Sequence, residues 1–193
     1  GRGEETIHTA LFQLLSLTRH QRSTGGGDGS GRRFEGRVEA FLVSANAAQE
    51  RYLEHRITAV PDAVRDAGPM AGLSSLAGAC ATPWLLTLPV DLVDCNDCLL
   101  PTLAAAGEAG AWASDEEGPQ PLVALWPTVA LRRAAGDALA RGELAVHALQ
   151  AGMDMRGVHL AGVRFGNLNT PADLQTAPPP PKPSPSSATE IDA

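Results

Sequence analysis

Pro83-Trp84-Leu85-Leu86-Thr87-Leu88-Pro89-Val90-Asp91 is the stretch on which the reading of this chain turns. Trp84 to Leu88 are almost wholly apolar, which suits a strand buried on both faces, as in a parallel sheet covered by helices. Pro89 has no N–H to give to a ladder, so the strand is predicted to end there. Asp91 then stands just past the strand's carboxyl end, the edge of an open α/β sheet where ligands bind. A carboxylate in that place can hold a hard cation such as Mg2+, which takes oxygen ligands and needs only one or two from the protein. Taken alone, a strand-end Asp is more often a turn residue or a helix N-cap.

Upstream, Val38 to Val43 reads as a second buried strand ending at Ser44-Ala45-Asn46, and Ile57 to Val60 as a short strand ending at Pro61-Asp62. A short helix is predicted between them, from about Ala48 to His55. In Asp66-Ala67-Gly68-Pro69-Met70-Ala71-Gly72-Leu73, Gly68 supplies a turn and Pro69 suits the first position of a helix. That helix is predicted to run to about Ala79, with small residues that permit close packing on a sheet. Nearer the amino end, Ile7, Ala10, Leu11, Leu14, Leu15 and Leu17 are spaced roughly as a helix over residues 5 to 19. Ser23 to Arg33 is dense in glycine. A phosphate cradle would follow a buried strand, and none precedes Ser23, so a flexible linker is the better reading.

Downstream of Asp91, a helix is predicted from about Leu99 to Gly107, a strand at Pro121 to Trp126, and a helix capped by Thr128 that runs to Arg141 and ends at Gly142. A further helix covers about Leu144 to Ala151. Val158 to Phe165 reads as a last strand, leading to Asn167-Leu168-Asn169-Thr170-Pro171, where Thr170 and Pro171 suit the start of a terminal helix. Strands alternating with helices at this spacing predict βαβ units: a three-layer α/β sandwich around a mostly parallel sheet. Residues 177–193 are Pro, Ser and Ala with no apolar face and are expected to be a disordered tail.

Composition narrows the function. The chain has 193 residues, enough for one domain with a real core, and is 44% apolar but only 4% aromatic, so Leu, Val and Ala must fill the interior. A formal net charge of -7 argues against a nucleic-acid surface, which needs a basic patch. No apolar run approaches the ~20 residues of a membrane span, and no signal peptide is visible. Cys80, Cys95 and Cys98 form no disulfide framework, which fits a reducing cytoplasm. The chain opens on Gly1 rather than Met, as a fragment or a processed product would.

Cys95-Asn96-Asp97-Cys98 lacks the second ligand pair that a zinc site needs, so two ordinary cysteines are expected. Asp94 and Asp97 read as solvated loop residues beside Asp91, and the five histidines show no metal spacing. Arg132, Arg133 and Arg141 read as a solvated helix face, with phosphate binding as the alternative.

Taken in order, Val43-Ser44-Ala45-Asn46, Val60-Pro61-Asp62, Gly68-Pro69-Met70-Ala71-Gly72-Leu73, Leu88-Pro89-Val90-Asp91, Pro121-Leu122-Val123-Ala124-Leu125-Trp126 and Asn167-Leu168-Asn169-Thr170-Pro171 resemble the molybdenum cofactor guanylyltransferases. These sit within the wider nucleotidyltransferases of Rossmann-like, nucleotide-diphospho-sugar transferase fold. The resemblance covers roughly residues 32 to 175. It implies transfer of GMP from GTP to the phosphate of molybdenum-bound molybdopterin, with Mg2+ and release of pyrophosphate. Asp91 matches the family's metal-binding and catalytic aspartate. Asp62 and the Ser44/Asn46 pair match positions near the guanine nucleotide, and Asn167 and Asn169 match the motif on the pterin side. The partners implied are GTP, molybdopterin and molybdoenzyme maturation proteins, around a cytoplasmic monomer.

The chain also departs from the family. The family opens with a buried strand and a Leu-Ala-Gly-Gly, Arg-Met-Gly and Lys loop around the nucleotide phosphates. Here Thr9 would take the place of the Lys, and Thr cannot replace a phosphate-binding ammonium. Ser44 stands where the family usually has Asn. The expected organisation is an atypical, disordered segment at 1–31, a nucleotidyltransferase domain at 32–176 and the tail at 177–193. The first strand position is expected to fold poorly and transfer to be weak. The alternatives are a degenerate molybdopterin-binding relative, or transfer of another nucleotide to another phosphate.

Overall fold

The computed structural model describes residues 10–19, 34–46, 52, 57–89, 92–93 and 98–167. The elements are β1 (Ala10–Arg19), β2 (Phe34–Ser44), β3 (Ile57–Val60), α1 (Gly68–Ala79), β4 (Trp84–Pro89), β5 (Leu92–Val93) and α2 (Leu99–Ala105). They continue with β6 (Ala111–Asp115), β7 (Gly118–Pro127), α3 (Thr128–Ala140), α4 (Val146–Gly152), β8 (Arg156–His159) and β9 (Gly166–Asn167). Seven strands form one sheet in the order β3-β2-β1-β4-β7-β6-β8, and β5 pairs with β9 in a separate ladder.

β4 is the centre that its sequence predicts. Leu85 packs on one face of the sheet with Met70, Leu73 and Leu76 of α1 and Leu131 and Ala135 of α3. Leu86 and Leu88 pack on the other with Leu99 and Leu103 of α2. β7 alternates in the same way, with Ala124 and Trp126 in the first cluster and Val123 and Leu125 in the second. The result is the expected three-layer α/β sandwich. Inside it, Thr87 is fully buried and satisfied: its hydroxyl donates to the Leu122 carbonyl at 2.6 Å and accepts from Trp126 Nε1 at 2.8 Å.

β2 runs parallel to β3 and β6 parallel to β8, whereas β1 is antiparallel to both its neighbours and β7 to both of its own. Followed across the sheet, β2, β3, β4, β6 and β8 therefore point one way, and their carboxyl ends share one edge. The sheet is parallel-rich in direction, but β1 and β7 lie between the others, so most adjacent ladders are antiparallel.

β1 corrects two expectations. Residues 10–19 form a strand and not a helix, and the first strand position is filled. A Leu-rich run of this length suits either state, and pairing decides: β1 takes β2 over its whole length and β4 over Ala10 to Leu15. Three further differences have local chemical causes. The strand expected from Val158 stops at His159, because after a last ladder bond from Leu160 N–H to the Ser114 carbonyl the chain turns: Val163 N–H bonds the Leu160 carbonyl at 3.2 Å and Gly162 adopts φ 74°. A strand at Ala111–Asp115 joins β7 as a hairpin where none is expected. Thr128 does not cap α3: it is the helix's first residue, buried, with its N–H on the Pro83 carbonyl at 2.9 Å. The expected linker at 23–33, most of the helix at 48–55, the terminal helix after Thr170 and the tail lie outside the described residues.

Candidate functional site

β2 and β3 end side by side, tied by Ala45 N–H on the Val60 carbonyl at 3.1 Å. This brings Ser44, Asn46 and Asp62 together. Ser44 Oγ donates to Asp62 Oδ1 at 2.6 Å. Asn46 Nδ2 donates to Asp62 Oδ2 at 3.0 Å, and Asp62 N–H returns a bond to Asn46 Oδ1 at 2.9 Å. Ser44 is buried, Asp62 half-buried and Asn46 exposed.

α1 closes the floor of this cluster. Gly68, at φ 56°, makes the turn that lets Pro69 start the helix. Ser75 Oγ accepts from Ala63 N–H at 2.9 Å, which fixes the chain after Asp62. Gly72 is the point of closest approach: a Cβ there would lie 3.0 Å from Ser44 Oγ and 3.7 Å from Asp62 Oδ1. Only glycine lets the helix come this close without displacing the serine.

The cluster is an anchored acceptor. An ionised carboxylate has about four lone-pair sites, and among the described residues Ser44 and Asn46 each engage one. The half-buried Asp62 therefore keeps acceptor capacity while its orientation is fixed. Such a group can read a pair of adjacent N–H donors on a ligand.

The sheet register relates this cluster to the end of β4. Ala10 pairs with Ser44 on one side and with Pro89 on the other. Ser44 and Pro89 thus stand level, two strand spacings or roughly 10 Å apart. Asp91 comes two residues later and lies, like Asn169, outside the described residues. Asn167 is described as backbone in β9, where it pairs with Leu92, the residue after Asp91. Among the described residues no three His, Cys, Asp or Glu side chains converge as a metal cage.

Arg132 and Arg141 are engaged elsewhere. Arg132 donates from Nε to the Ala77 carbonyl and from Nη2 to the Cys80 carbonyl, both at 2.9 Å, so it caps the carboxyl end of α1. Arg141 pairs with Glu143 at 2.8 Å on the surface. Cys98 is exposed at the start of α2, and Cys95 lies outside the described residues.

A second carboxylate, which no sequence signal singles out, lies at the same edge. Asp115 ends β6 and is buried. Burial pushes its carboxyl up, but N–H donation from Phe165, the Gln120 amide and the N–H groups of Glu117 and Gly118 together outweigh this. They hold it below the usual carboxylate range.

Comparison with known proteins bears on this geometry. The family model of the MobA-like NTP transferase domain matches residues 30–153. The chain is 32% identical over 146 residues to the molybdenum cofactor guanylyltransferase of Serratia proteamaculans (strain 568), covering 73% of this chain and 74% of that one. It is 36% identical over 153 residues to the protein of the same name from Acidiphilium cryptum (strain JF-5), covering 74% of each. A crystal structure of a protein from Aquifex aeolicus VF5 superposes with a TM-score of 0.56 at 18% identity, over 67% of this chain and 70% of that one. At that identity it speaks for the fold alone.

Proposed function

Because the chain belongs to the MobA-like NTP transferase family, and is a nucleotidyltransferase, we propose that it transfers GMP from GTP to the phosphate of molybdenum-bound molybdopterin. The observation that carries this reading is the fixed Asp62 carboxylate between Ser44 and Asn46. Guanine presents an N1–H and an N2 amine side by side, two donors that match one carboxylate. Adenine presents a donor beside an acceptor, and cytosine does the same, so each would set a lone pair against Asp62. A site built to accept two donors rejects a base that lacks one of them.

In the reaction, an oxygen of the acceptor phosphate attacks the α-phosphorus of GTP. The new P–O bond forms as the α–β bridging P–O bond breaks, and pyrophosphate leaves with that electron pair. Mg2+ held by Asp91 would supply charge neutralisation on the phosphates. The protein's own part is position. The Ser44-Asn46-Asp62 cluster holds the base, and Asn167 and Asn169 offer uncharged donors and acceptors to the pterin.

A second reading, a nucleotide- and pterin-binding relative with weak transfer, is favoured by the direction of β1. Ala10 lies at the site edge, whereas Arg19 pairs with Phe34 at the far end. Arg19 and Phe34, which flank the glycine-rich residues 23–33 in the sequence, thus stand at the edge opposite Asp62, a strand length of roughly 30 Å away. Transfer without a family-type phosphate loop and Lys would lose two or three charge-assisted bonds, a cost on the order of 10^3-fold in binding or rate.

The test is guanylyl transfer from labelled GTP to molybdopterin by this chain and by its Asp91→Asn variant, beside a chain with a Gly-rich loop and Lys grafted ahead of Arg32. Transfer that is lost in Asp91→Asn and raised by the graft supports the enzyme reading. Transfer that survives Asp91→Asn removes the metal assignment, and binding without transfer in every version favours the second reading.

A further inference from the structure

We propose that Asp115 is a positioning residue for the acceptor half of the site, acting through Phe165 on the β5–β9 ladder. The inference rests on the transferase reading, in which Asp91 holds the metal and Asn167 belongs to the pterin-side motif.

The two oxygens of Asp115 do different things. Oδ1 accepts from Glu117 N–H at 2.9 Å, Gly118 N–H at 3.0 Å and Gln120 Nε2 at 3.3 Å. Those three bonds shape the hairpin between β6 and β7 and would satisfy a carboxylate whose role was the turn alone. Oδ2 reaches out of the hairpin to Phe165 N–H, 50 residues on, at 2.8 Å. Neighbouring bonds fasten the same two segments: Glu116 N–H to the Val163 carbonyl at 3.2 Å, and Gly162 N–H to Glu116 Oε1 at 2.8 Å. The Phe165 side chain is 2% exposed and belongs to the same apolar cluster as Leu160.

The bond matters because of the two residues next along the chain from Phe165. Gly166 and Asn167 are the whole of β9, and they pair with Val93 and Leu92, the residues directly after Asp91. A two-residue ladder cannot hold itself in water. Its flank at Phe165 is fixed by the Asp115 carboxylate and the buried ring. The chain from Asp115 to Phe165 to Asn167 to Leu92 thus links the pterin-side motif to the metal-side segment, while β6 lies four strands along the sheet from β2, which carries Ser44. Because the anchoring group is an ionised, buried acceptor, its amide counterpart fails. Asp115→Asn would offer one N–H2 toward either the hairpin donors or Phe165 N–H.

Three measurements test this on the full chain: amide hydrogen exchange, GTP titration and the KM for molybdopterin. In Asp115→Asn, exchange at 92–93 and 165–167 should rise about tenfold or more, the scale of one lost charge-assisted bond. Exchange at Phe41 to Asp62 and the Kd for GTP should stay within about twofold, while the KM for molybdopterin rises by a similar tenfold. Gln120→Ala, which removes only an Oδ1 partner, should leave exchange at 165–167 unchanged. If Asp115→Asn fails to fold, Asp115→Glu carries the same measurements with the charge kept. Exchange that rises evenly along the chain, or stays unchanged at 92–93, overturns the proposal, as does a raised exchange with an unaltered KM for molybdopterin. An unmodified chain that binds no GTP contradicts the transferase reading instead, and the exchange pattern then judges the positioning role by itself.

Discussion

Ser44 Oγ lies 2.6 Å from Asp62 Oδ1, and the helix beneath them touches the same serine through Gly72, where a Cβ would stand 3.0 Å from that oxygen. One short hydrogen bond, held at the ends of two strands, thus depends on the absence of a side chain in a third element.

Two glycines of α1 should respond to alanine in opposite ways. Gly72→Ala must push Ser44 or the helix aside, and such overpacking costs about 1–3 kcal/mol. Gly78→Ala meets nothing within 4 Å among the described residues. It should gain about 0.5–1 kcal/mol from helix propensity. Urea denaturation of both variants measures this. Equal effects would mean that α1 does not approach Ser44 as closely as described.

Ser44→Ala removes one of the two side-chain donors that orient Asp62 among the described residues and leaves the Asn46 bonds in place. The lost bond to a charged acceptor is worth about 1.5–3 kcal/mol when fully formed, and part of that should appear in ligand binding. We predict a Kd for GTP raised about fivefold to tenfold with little change in far-UV circular dichroism. An unchanged Kd would show that Asn46 alone fixes the carboxylate.

Asp115 should give stability a pH dependence. Its folded pKa is depressed below the ordinary value of 3.8. Its contribution is therefore present above that value and is lost as pH falls through the lower, folded one. The stability difference between the unmodified chain and Asp115→Asn should be constant above about pH 5 and shrink as pH falls below about 4. Urea midpoints measured across this range would refute the assignment if the difference stayed constant into acid.

Arg132→Ala should destabilise by about 1–2 kcal/mol, because two carbonyls at the end of α1 lose their donor, and it should leave GTP binding unaltered. Arg141→Ala, which breaks a surface pair, should change stability within the error of the measurement. A loss of nucleotide affinity in Arg132→Ala would restore the phosphate-binding alternative for that arginine.

The central strand and the start of α1 were legible in sequence because each rests on strong local chemistry. Trp84 to Leu88 leave no polar face for solvent, and Gly68-Pro69 is a turn followed by a helix start. Ser44, Asn46 and Asp62 were legible only as family positions, since nothing local links residues 16 and 18 apart. β1 reads as a helix because its leucines fit one when the chain is alone, while strand pairing with β2 and β4 is a tertiary fact. β6 was hidden by its composition: Ala111, Ala113 and Asp115 are the buried positions, and two alanines and a carboxylate give almost no apolar alternation. Asp115 could not be singled out as one of many acidic residues. Its identity as an anchor depends on Phe165, 50 residues away.

The most direct test of the account is a calorimetric titration of this chain and its Asp62→Asn variant with GTP, XTP and CTP in the presence of Mg2+. Xanthine replaces the N2 amine of guanine by a carbonyl and so presents an acceptor beside N1–H, the pair that an amide at position 62 would match. The account predicts that the unmodified chain binds GTP at least about tenfold more tightly than XTP or CTP, and that Asp62→Asn weakens GTP while strengthening XTP. GTP and CTP binding equally to the unmodified chain, or GTP binding undiminished in Asp62→Asn, would contradict it.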